Sequence, residues 1–186
     1  MPTHIALLRG INVGGRNKVA MADLRALATS LGYADVTTYI QSGNLLFSAT
    51  GAGTDRLAST LADAIAGGLG VSPSVIVITR EELAQVIAAN PYPDEPSPTC
   101  VHAVFYQGEP GAEVTERVAA AAAGVQAKGS RDEAMVIGRV MYLRTPDGFG
   151  RSDLSQALLA RSRGPVAGGT ARNWATVTKL LALCDG

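Results

Sequence analysis

The stretch Val36-Thr-Thr-Tyr-Ile-Gln-Ser-Gly-Asn-Leu-Leu-Phe47 decides the fold of this chain. Its beginning is rich in β-forming residues and its end is apolar, while Ser42-Gly43-Asn44 between them has the composition of a tight turn. The stretch is therefore predicted to be a β-hairpin with strands at residues 36–41 and 45–47. Because strands joined by so short a turn are antiparallel, an alternating parallel fold is disfavoured.

The segments around the hairpin complete a β-α-β-β-α-β order. A strand is predicted at His4–Arg9, and the three- and four-residue spacing of apolar side chains predicts a helix over residues 20–31. A second helix is expected to begin at a Thr54 cap, and an apolar strand then leads into a capping box formed by Thr79 and Glu82. This order predicts an α+β fold with a ferredoxin-like N-terminal half at residues 1–90.

A proline-rich segment divides the chain. Four of the nine prolines lie in residues 91–98, which predicts a stiff linker before a second α+β subdomain at residues 99–186. This half begins like the first and then diverges, ending in two helices. Its predicted elements are a strand at 101–106, a helix at 112–123, short strands at 125–129, 133–137 and 140–144, a helix at 152–160 capped by Ser152, and, after a Thr170 cap, a helix at 171–183.

Composition excludes several classes of protein. Of the 186 residues 47% are hydrophobic and 17% are charged, which excludes a disordered chain. No run approaches the roughly 18 apolar residues of a membrane span, and the early apolar run at residues 5–8 is too short for a signal peptide. Two cysteines, Cys100 and Cys184, are too few for a secreted disulfide framework. We expect a soluble cytoplasmic protein without a membrane partner. The sequence leaves a homo-oligomer open, because no exposed apolar stripe identifies an interface.

The charges are unevenly distributed although the net charge is zero. Residues 81–116 hold seven acidic side chains and no basic one, whereas residues 139–179 hold seven basic and two acidic ones. Thirteen of the 16 basic residues are arginine, which suits carboxylate or phosphate recognition, although a GC-rich genome would also favour it. The pattern indicates a local anion site rather than a broad nucleic-acid surface.

The segment Arg9-Gly-Ile-Asn-Val-Gly-Gly-Arg-Asn-Lys18 is the strongest candidate for such a site. Its spacing approaches the phosphate-binding P-loop, because glycines let backbone N–H groups converge on an anion before a helix N-terminus. The hydroxyl that would bind magnesium is replaced by Asn17, so nucleotide hydrolysis is not predicted, and a purely structural turn is the alternative to anion binding. The candidate ligand-binding residues here are Arg9, Gly10, Asn12, Gly14, Gly15, Arg16, Asn17 and Lys18.

Three further segments carry candidate ligand-binding residues. Ser42 and Asn44 lie in the hairpin turn, where satisfying backbone groups is the alternative role. Arg151 precedes the predicted Ser152 cap and is placed to hold an anion, or simply belongs to a turn. Arg172 and Asn173 are predicted to lie in the first turn of the last helix, where their side chains suit phosphate or carboxylate capture.

Known catalytic patterns are missing from the sequence. There is no Gly-x-Ser-x-Gly elbow and no Gly-x-Gly-x-x-Gly fingerprint, and only His4 and His102 offer an imidazole base. His102 alternates with Cys100 and is interpreted as half of a structural pair. Two cysteines and two histidines without ligand spacing predict no metal site, and no cofactor is predicted.

Four blocks together span nearly the whole chain: residues 7–18 with Met21, Leu24, Arg25 and residues 31–33; residues 38–44 with Phe47; residues 147–152; and residues 170–180. These blocks resemble the bacterial family called domain of unknown function 1697. Ala175 is a departure, since the family is expected to carry Asn there. The resemblance implies an α+β fold with ferredoxin-like character and no settled activity, because the family is named for lacking one.

The sequence therefore predicts binding of a small anionic or phosphate-bearing ligand by Gly/Asn/Arg loops, with the glycine-rich segment of residues 9–18 and the segment of Arg172 and Asn173 sharing it. One alternative is a single-stranded nucleic-acid binding module, because ferredoxin-like sheets can stack bases on aromatic residues. That alternative is less favoured, since Tyr39 and Phe47 are the only strand aromatics in the first half. The other is an enzyme of unknown reaction that uses the polar loops.

Overall fold

The computed structural model describes residues 1–159 and 168–186. Their backbone forms two compact units. Met1–Gln85 together with Lys179–Gly186 makes the first unit, and Val86–Thr178 makes the second. The predicted linker at residues 91–98 groups with the second unit, and its role as a boundary stays a prediction.

The first unit contains an antiparallel four-stranded sheet of strand order β2-β3-β1-β4. The predicted hairpin is confirmed as the pair of β2 and β3, and the β-α-β-β-α-β order is ferredoxin-like as predicted. The elements are β1 (His4–Arg9), α1 (Met21–Ser30), β2 (Ala34–Tyr39), β3 (Asn44–Ser48), α2 (Thr54–Leu69), β4 (Ser74–Thr79) and α3 (Arg80–Ala88).

The core of the first unit lies between one face of this sheet and helices α1 and α2. Apolar residues that recur about one helical turn apart pack onto alternate residues of the strands, so that each element buries a single stripe. The buried cluster includes Leu24 of α1, Leu57, Leu61 and Ile65 of α2, and Ala6, Leu8, Leu45, Phe47 and Val77 of the sheet.

The register of β1 against β3 brings two loops together. Leu7 pairs with Asn44, so the end of β1 lies beside the beginning of β3. Just beyond this pair, the backbone N–H of Leu8 donates to the carbonyl oxygen of Gly43 over 2.8 Å. The loop that follows β1 and the turn that precedes β3 are therefore neighbours, a relationship that the sequence left open.

The second unit repeats the topology of the first. Its antiparallel sheet has the order β6-β7-β5-β8, which matches β2-β3-β1-β4 position by position. The second half is thus a related α+β half, and it completes the β-α-β-β-α-β order rather than diverging from it. Its elements are β5 (Val101–Phe105), α4 (Ala112–Gln126), β6 (Glu133–Ile137), β7 (Val140–Arg144), a 3-10 turn (Phe149–Arg151), α5 (Asp153–Leu159) and β8 (Thr170–Asn173). The last helix, α6 (Trp174–Asp185), begins in the second unit, and its residues from Lys179 onward belong to the first.

Two predictions in the second half were wrong. The strand expected at residues 125–129 is the end of α4 and the turn after it, where Gly129 takes a positive φ of 89°. The helix expected at residues 171–183 begins only at Trp174, because Thr170–Asn173 pairs with β5 as strand β8. Residue 160, the predicted end of α5, lies outside the described residues.

The predicted helix caps have mixed outcomes. The capping box is confirmed, since the N–H of Thr79 donates to the Glu82 carboxylate over 2.7 Å and the N–H of Glu82 donates to Thr79 Oγ1 over 3.1 Å. Ser152 is confirmed as a cap by the N–H of Ser155, which donates to its Oγ over 2.8 Å. The prediction of a Thr54 cap was wrong, because the residue before α2 is Gly53 and the helix has no side-chain cap.

None of the helices found in residues 1–159 and 168–186 has the length and apolar character that crossing a membrane requires.

Candidate functional site

The loop of residues 10–18, called the first loop below, has a backbone that only certain residues adopt easily. Gly10, Gly14 and Gly15 have φ values of 88°, 59° and 75°, and Asn12 and Asn17 have values of 52° and 51°. Glycine has no Cβ to oppose a positive φ, and asparagine tolerates it better than most side chains. The Gly/Asn composition of the loop thus follows directly from its shape.

Hydrogen bonds within the first loop close it on itself. The Asn17 side-chain amide donates to the carbonyl oxygen of Gly10 over 2.8 Å, and the Asn12 N–H donates to the carbonyl oxygen of Asn17 over 3.0 Å. By contrast, the N–H groups of Gly14 and Gly15 donate to no described residue. The tip of the loop therefore presents two glycine N–H groups to solvent.

The Asn12 side chain fastens the first loop to its surroundings. Its Nδ2 donates to the carbonyl oxygens of Val19, over 2.9 Å, and Gln41, over 3.0 Å, and its Oδ1 accepts from the Val19 N–H over 2.9 Å. The predicted ligand-binding residue Asn12 thus holds the loop in place through its whole amide group.

The hairpin turn of residues 40–43 lies against the first loop. Asn44 at its end is fully buried, and its amide donates to the carbonyl oxygen of Tyr39 over 3.0 Å and to Ser42 Oγ over 3.1 Å. A Cβ on Gly43 would lie 2.8 Å from Leu8 Cβ, so only glycine permits this approach. The predicted residues Ser42 and Asn44 thus shape the turn.

A depression of about 390 Å³ opens between the first loop and the start of α1. The residue before α1, Ala20, has no side chain that could cap the helix, and the exposed Lys18 stands beside it. Asp23 in the first turn brings one negative charge to the same helix end. The lining residues are Asn12, Gly15, Lys18, Val19, Ala20 and Gln41.

Positive side chains surround this depression more widely. Arg16 is exposed on the first loop, and Arg9 is exposed at the end of β1, where it pairs with Ser74 of β4. With Lys18 these are the basic residues that the sequence predicted for the site, and the first unit brings all three to one end of β1. The local charge thus favours an anion.

Two exposed apolar residues flank the depression and were not found from the sequence. Val13 follows Asn12 and Ile40 precedes Gln41, and each is 50% exposed. Ile40 also has a φ of 49°, which is a strained conformation for a β-branched residue. Neither residue type signals such a position, because isoleucine and valine ordinarily indicate a strand or a core.

Arg151, in the second unit, lies in the 3-10 turn and is exposed. The nearby Asp147 pairs with Arg131, and these hydrogen bonds, together with the charges of Arg131 and Arg151, hold the pKa of the Asp147 carboxyl below its ordinary value. Arg151 therefore adds positive charge to a turn that already contains an ion pair.

Arg172 lies in strand β8, opposite Ala103 of β5, rather than in a helix. It is only 9% exposed, and burial lowers the pKa of its guanidinium to about 10. Asn173 is the cap of α6, because its Oδ1 accepts from the Thr176 N–H over 2.8 Å. The predicted helical Arg-Asn pair was therefore wrong in its local structure, and the sharing of one ligand with the first loop stays a prediction.

The interior of the second unit holds polar groups that the sequence did not reveal. Ser152 Oγ donates to the buried Asp132 carboxylate over 2.7 Å while it caps α5. His102 stacks on Phe149 with ring centroids 3.9 Å apart, and burial lowers the pKa of its imidazole to about 4. The interpretation of His102 as half of a structural pair with Cys100 stays a prediction.

No group of three or more potential metal-ligating side chains occurs in the described parts of the chain.

Comparison with known proteins identifies relatives of this chain. A family model described as protein of unknown function (DUF1697) matches residues 1–142. The conserved bacterial protein SP0830 from Streptococcus pneumoniae has a similar structure, with a TM-score of 0.70, 23% sequence identity and coverage of 98% of each chain. At that identity the likeness shows a shared fold. A search of curated proteins gave no match.

The family match includes the first loop and the hairpin turn, while the resemblance at residues 147–152 and 170–180 lies beyond it. Since the matched residues make up more than half of the chain, this protein belongs to the family of proteins of unknown function DUF1697.

Proposed function

We propose that this protein binds a small anionic ligand, of the phosphate-bearing class, in the depression between the first loop and the start of α1. The observation that carries the proposal is the uncapped start of α1 at this depression, where Ala20 takes the position that a capping side chain usually occupies. The first N–H groups of a helix lack partners within the helix, so an anion in the depression would accept from them.

The surrounding groups support the same ligand chemistry. Lys18 and Gly15 line the depression, and the glycine N–H groups at the loop tip are free of protein acceptors among the described residues. Arg16 adds an exposed positive charge. The Asn17 side chain closes the loop, and the Asn12 side chain fastens it to Val19 and Gln41. These groups are therefore held in position before the ligand arrives, which lowers the ordering cost of binding.

Asp23 opposes the ligand, since its carboxylate competes for the positive end of α1. We therefore expect modest affinity for inorganic phosphate, and we expect Asp23→Asn to raise it. The proposal concerns binding alone and includes no reaction. It retains the cytoplasmic location expected from the sequence, which the unpaired cysteines Cys100 and Cys184 favour.

The test is calorimetric titration with inorganic phosphate, sugar phosphates, nucleotides and short oligonucleotides. Lys18→Ala should raise the Kd of a phosphate-bearing ligand about two- to fivefold, as expected for one exposed charge at a helix N-terminus. Lys128→Ala is the matched control, because Lys128 is an exposed lysine of the second unit and its loss changes the net charge equally. Equal losses in both variants, or no binding of any phosphate compound, would overturn the proposal.

The nucleic-acid alternative predicts a different result in the same titration, namely oligonucleotide binding that weakens steeply with added salt. One strand aromatic is already engaged, because Phe47 is fully buried and stacks on Tyr33 with ring centroids 4.6 Å apart. Base stacking in the first unit would therefore depend on the half-buried Tyr39.

A further inference from the structure

Strand β6 is an edge of the second unit's sheet with an open backbone. It pairs with β7 without interruption, from Glu133 opposite Arg144 to Ile137 opposite Val140. In a hairpin with a two-residue turn the flanking residues form a hydrogen-bonded pair, so Glu133, Met135 and Ile137 direct their backbone groups towards β7. The backbone groups of Ala134 and Val136 point away from β7, and no described residue hydrogen-bonds to them.

The same strand exposes large apolar side chains. Met135 is 49% exposed and Ile137 is 38% exposed, and both lie on one face of the strand. Ala134 and Val136, on the other face, pack against the core of the second unit. The edge therefore combines unpaired backbone groups with exposed apolar surface, which is the usual signature of a strand that pairs with another chain.

The equivalent edge of the first unit is protected against pairing with another chain, whereas β6 is not. Strand β2 occupies the same place in its sheet, and its register shifts between Ala34 and Thr37. It also carries the exposed Asp35, whose φ is 51°. Irregular register and charge are devices that prevent edge-to-edge pairing. Strand β6 has neither a register shift nor a proline.

The charge pattern of β6 suits a second copy of this chain. Its one charged residue, Glu133, pairs with Arg144 over 2.7 Å. When two copies of β6 lie antiparallel about a two-fold axis at Met135, Glu133 of each copy lies opposite Ile137 of the other, so like charges do not meet. Ala134 of each copy lies opposite Val136 of the other, and these residues exchange four backbone hydrogen bonds.

We propose that this protein forms a symmetric homodimer by antiparallel pairing of β6 with β6 of a second copy, centred on Met135. The dimer joins the sheets of two second units into one continuous sheet. A contact of five residues per chain buries less than the roughly 1,600 Å² of a standard interface, so we expect a weak dimer whose population depends on protein concentration. The proposal is independent of the anion site.

Sedimentation velocity of the full chain over a range of concentrations tests this dimer. The wild type should dimerise, and Met135→Lys and Met135→Glu should each raise the dimer Kd at least about tenfold, because two like charges then face each other on the axis. An equimolar mixture of the two variants should dimerise again. Thr37→Lys, which adds the same charge at the equivalent edge strand β2, should leave the Kd unchanged.

A wild-type chain that is monomeric at all concentrations overturns the proposal, and so does a dimer that persists unchanged in both variants. Hydrogen exchange of the wild type gives an independent answer that requires no substitution. The amide protons of Ala134 and Val136 should exchange more slowly as protein concentration rises. Exchange at these two positions that is independent of concentration contradicts the proposed register.

Discussion

The side-chain amide of Asn12 donates to the carbonyl oxygen of Gln41 over 3.0 Å and thereby joins the loop after β1 to the turn before β3. The same amide group also forms two hydrogen bonds with the backbone of Val19. Val19 precedes Ala20, which is the residue directly before α1. One side chain thus sets the position of the first loop, the hairpin turn and the start of α1 relative to one another. The depression between them depends on Asn12.

Replacement of Asn12 by alanine should lower the free energy of unfolding by about 3–5 kcal/mol. Three hydrogen bonds are lost, at about 0.5–1.5 kcal/mol each, and alanine is disfavoured at the φ of 52°. Asn12→Gly is the control, because it removes the same hydrogen bonds but accepts the positive φ, and it should cost about 1 kcal/mol less. Urea unfolding measures both values, and equal stability of the two variants would argue against backbone strain at this position.

Gly43→Ala should be considerably more destabilising than Gly15→Ala, although both glycines have positive φ values, of 85° and 75°. An added Cβ at position 43 would lie 2.8 Å from Leu8 Cβ and 2.9 Å from Ile11 Cδ1, whereas at position 15 it would meet nothing within 4 Å. We expect about 1 kcal/mol for Gly15→Ala from backbone strain alone, and at least about 2 kcal/mol more for Gly43→Ala from overpacking. Thermal unfolding of the two variants makes the comparison, and similar melting temperatures would contradict the close contact.

Protonation of His102 should destabilise the protein in acid. Burial lowers the pKa of His102 to about 4 from an ordinary value of 6.5, so the unfolded chain takes up this proton at a higher pH than the folded chain does. The stability that neutral His102 contributes is fully present above about pH 6.5 and is lost as the pH falls towards 4, by on the order of 3 kcal/mol in total. Below that pH the contribution should change no further.

Urea unfolding at several pH values checks this dependence. His102→Gln is the control, and it should reduce the change in the free energy of unfolding between pH 6.5 and pH 4. Burial also lowers the pKa of His4, so His4→Asn separates the contribution of the first unit. An NMR titration of the His102 ring protons reports its pKa directly. A value near 6.5 would contradict the account of a desolvated imidazole stacked on Phe149.

Much of the first unit could be predicted from the sequence because local signals agreed with tertiary structure there. Two signals sufficed to predict the ferredoxin-like order of strands and helices: the apolar periodicity of α1 and α2, and the Ser42-Gly43-Asn44 turn. Strand β8 was missed because Thr170–Asn173 is four residues long and adjoins a helix of strong apolar pattern. Only its pairing with β5, which lies some 70 residues earlier in the chain, makes it a strand.

The candidate site was predictable in composition but not in geometry. The sequence identified the first loop by its glycine and asparagine residues, and the structure adds that five of them have a positive φ. The role of Asn12 depends on the register of β1 against β3, which residue types do not encode. The exposure of Ile40 was likewise hidden, because its sequence neighbours are those of a strand.

The central claim, an anion site at the start of α1, is tested most directly by following the backbone amide signals in an NMR titration with inorganic phosphate. Saturable shifts confined to Gly14, Gly15, Lys18 and the first turn of α1, weakened in Lys18→Ala and retained in Lys128→Ala, are the predicted result. Shifts that never saturate, or that are spread over exposed lysines and arginines of both units, would contradict the claim.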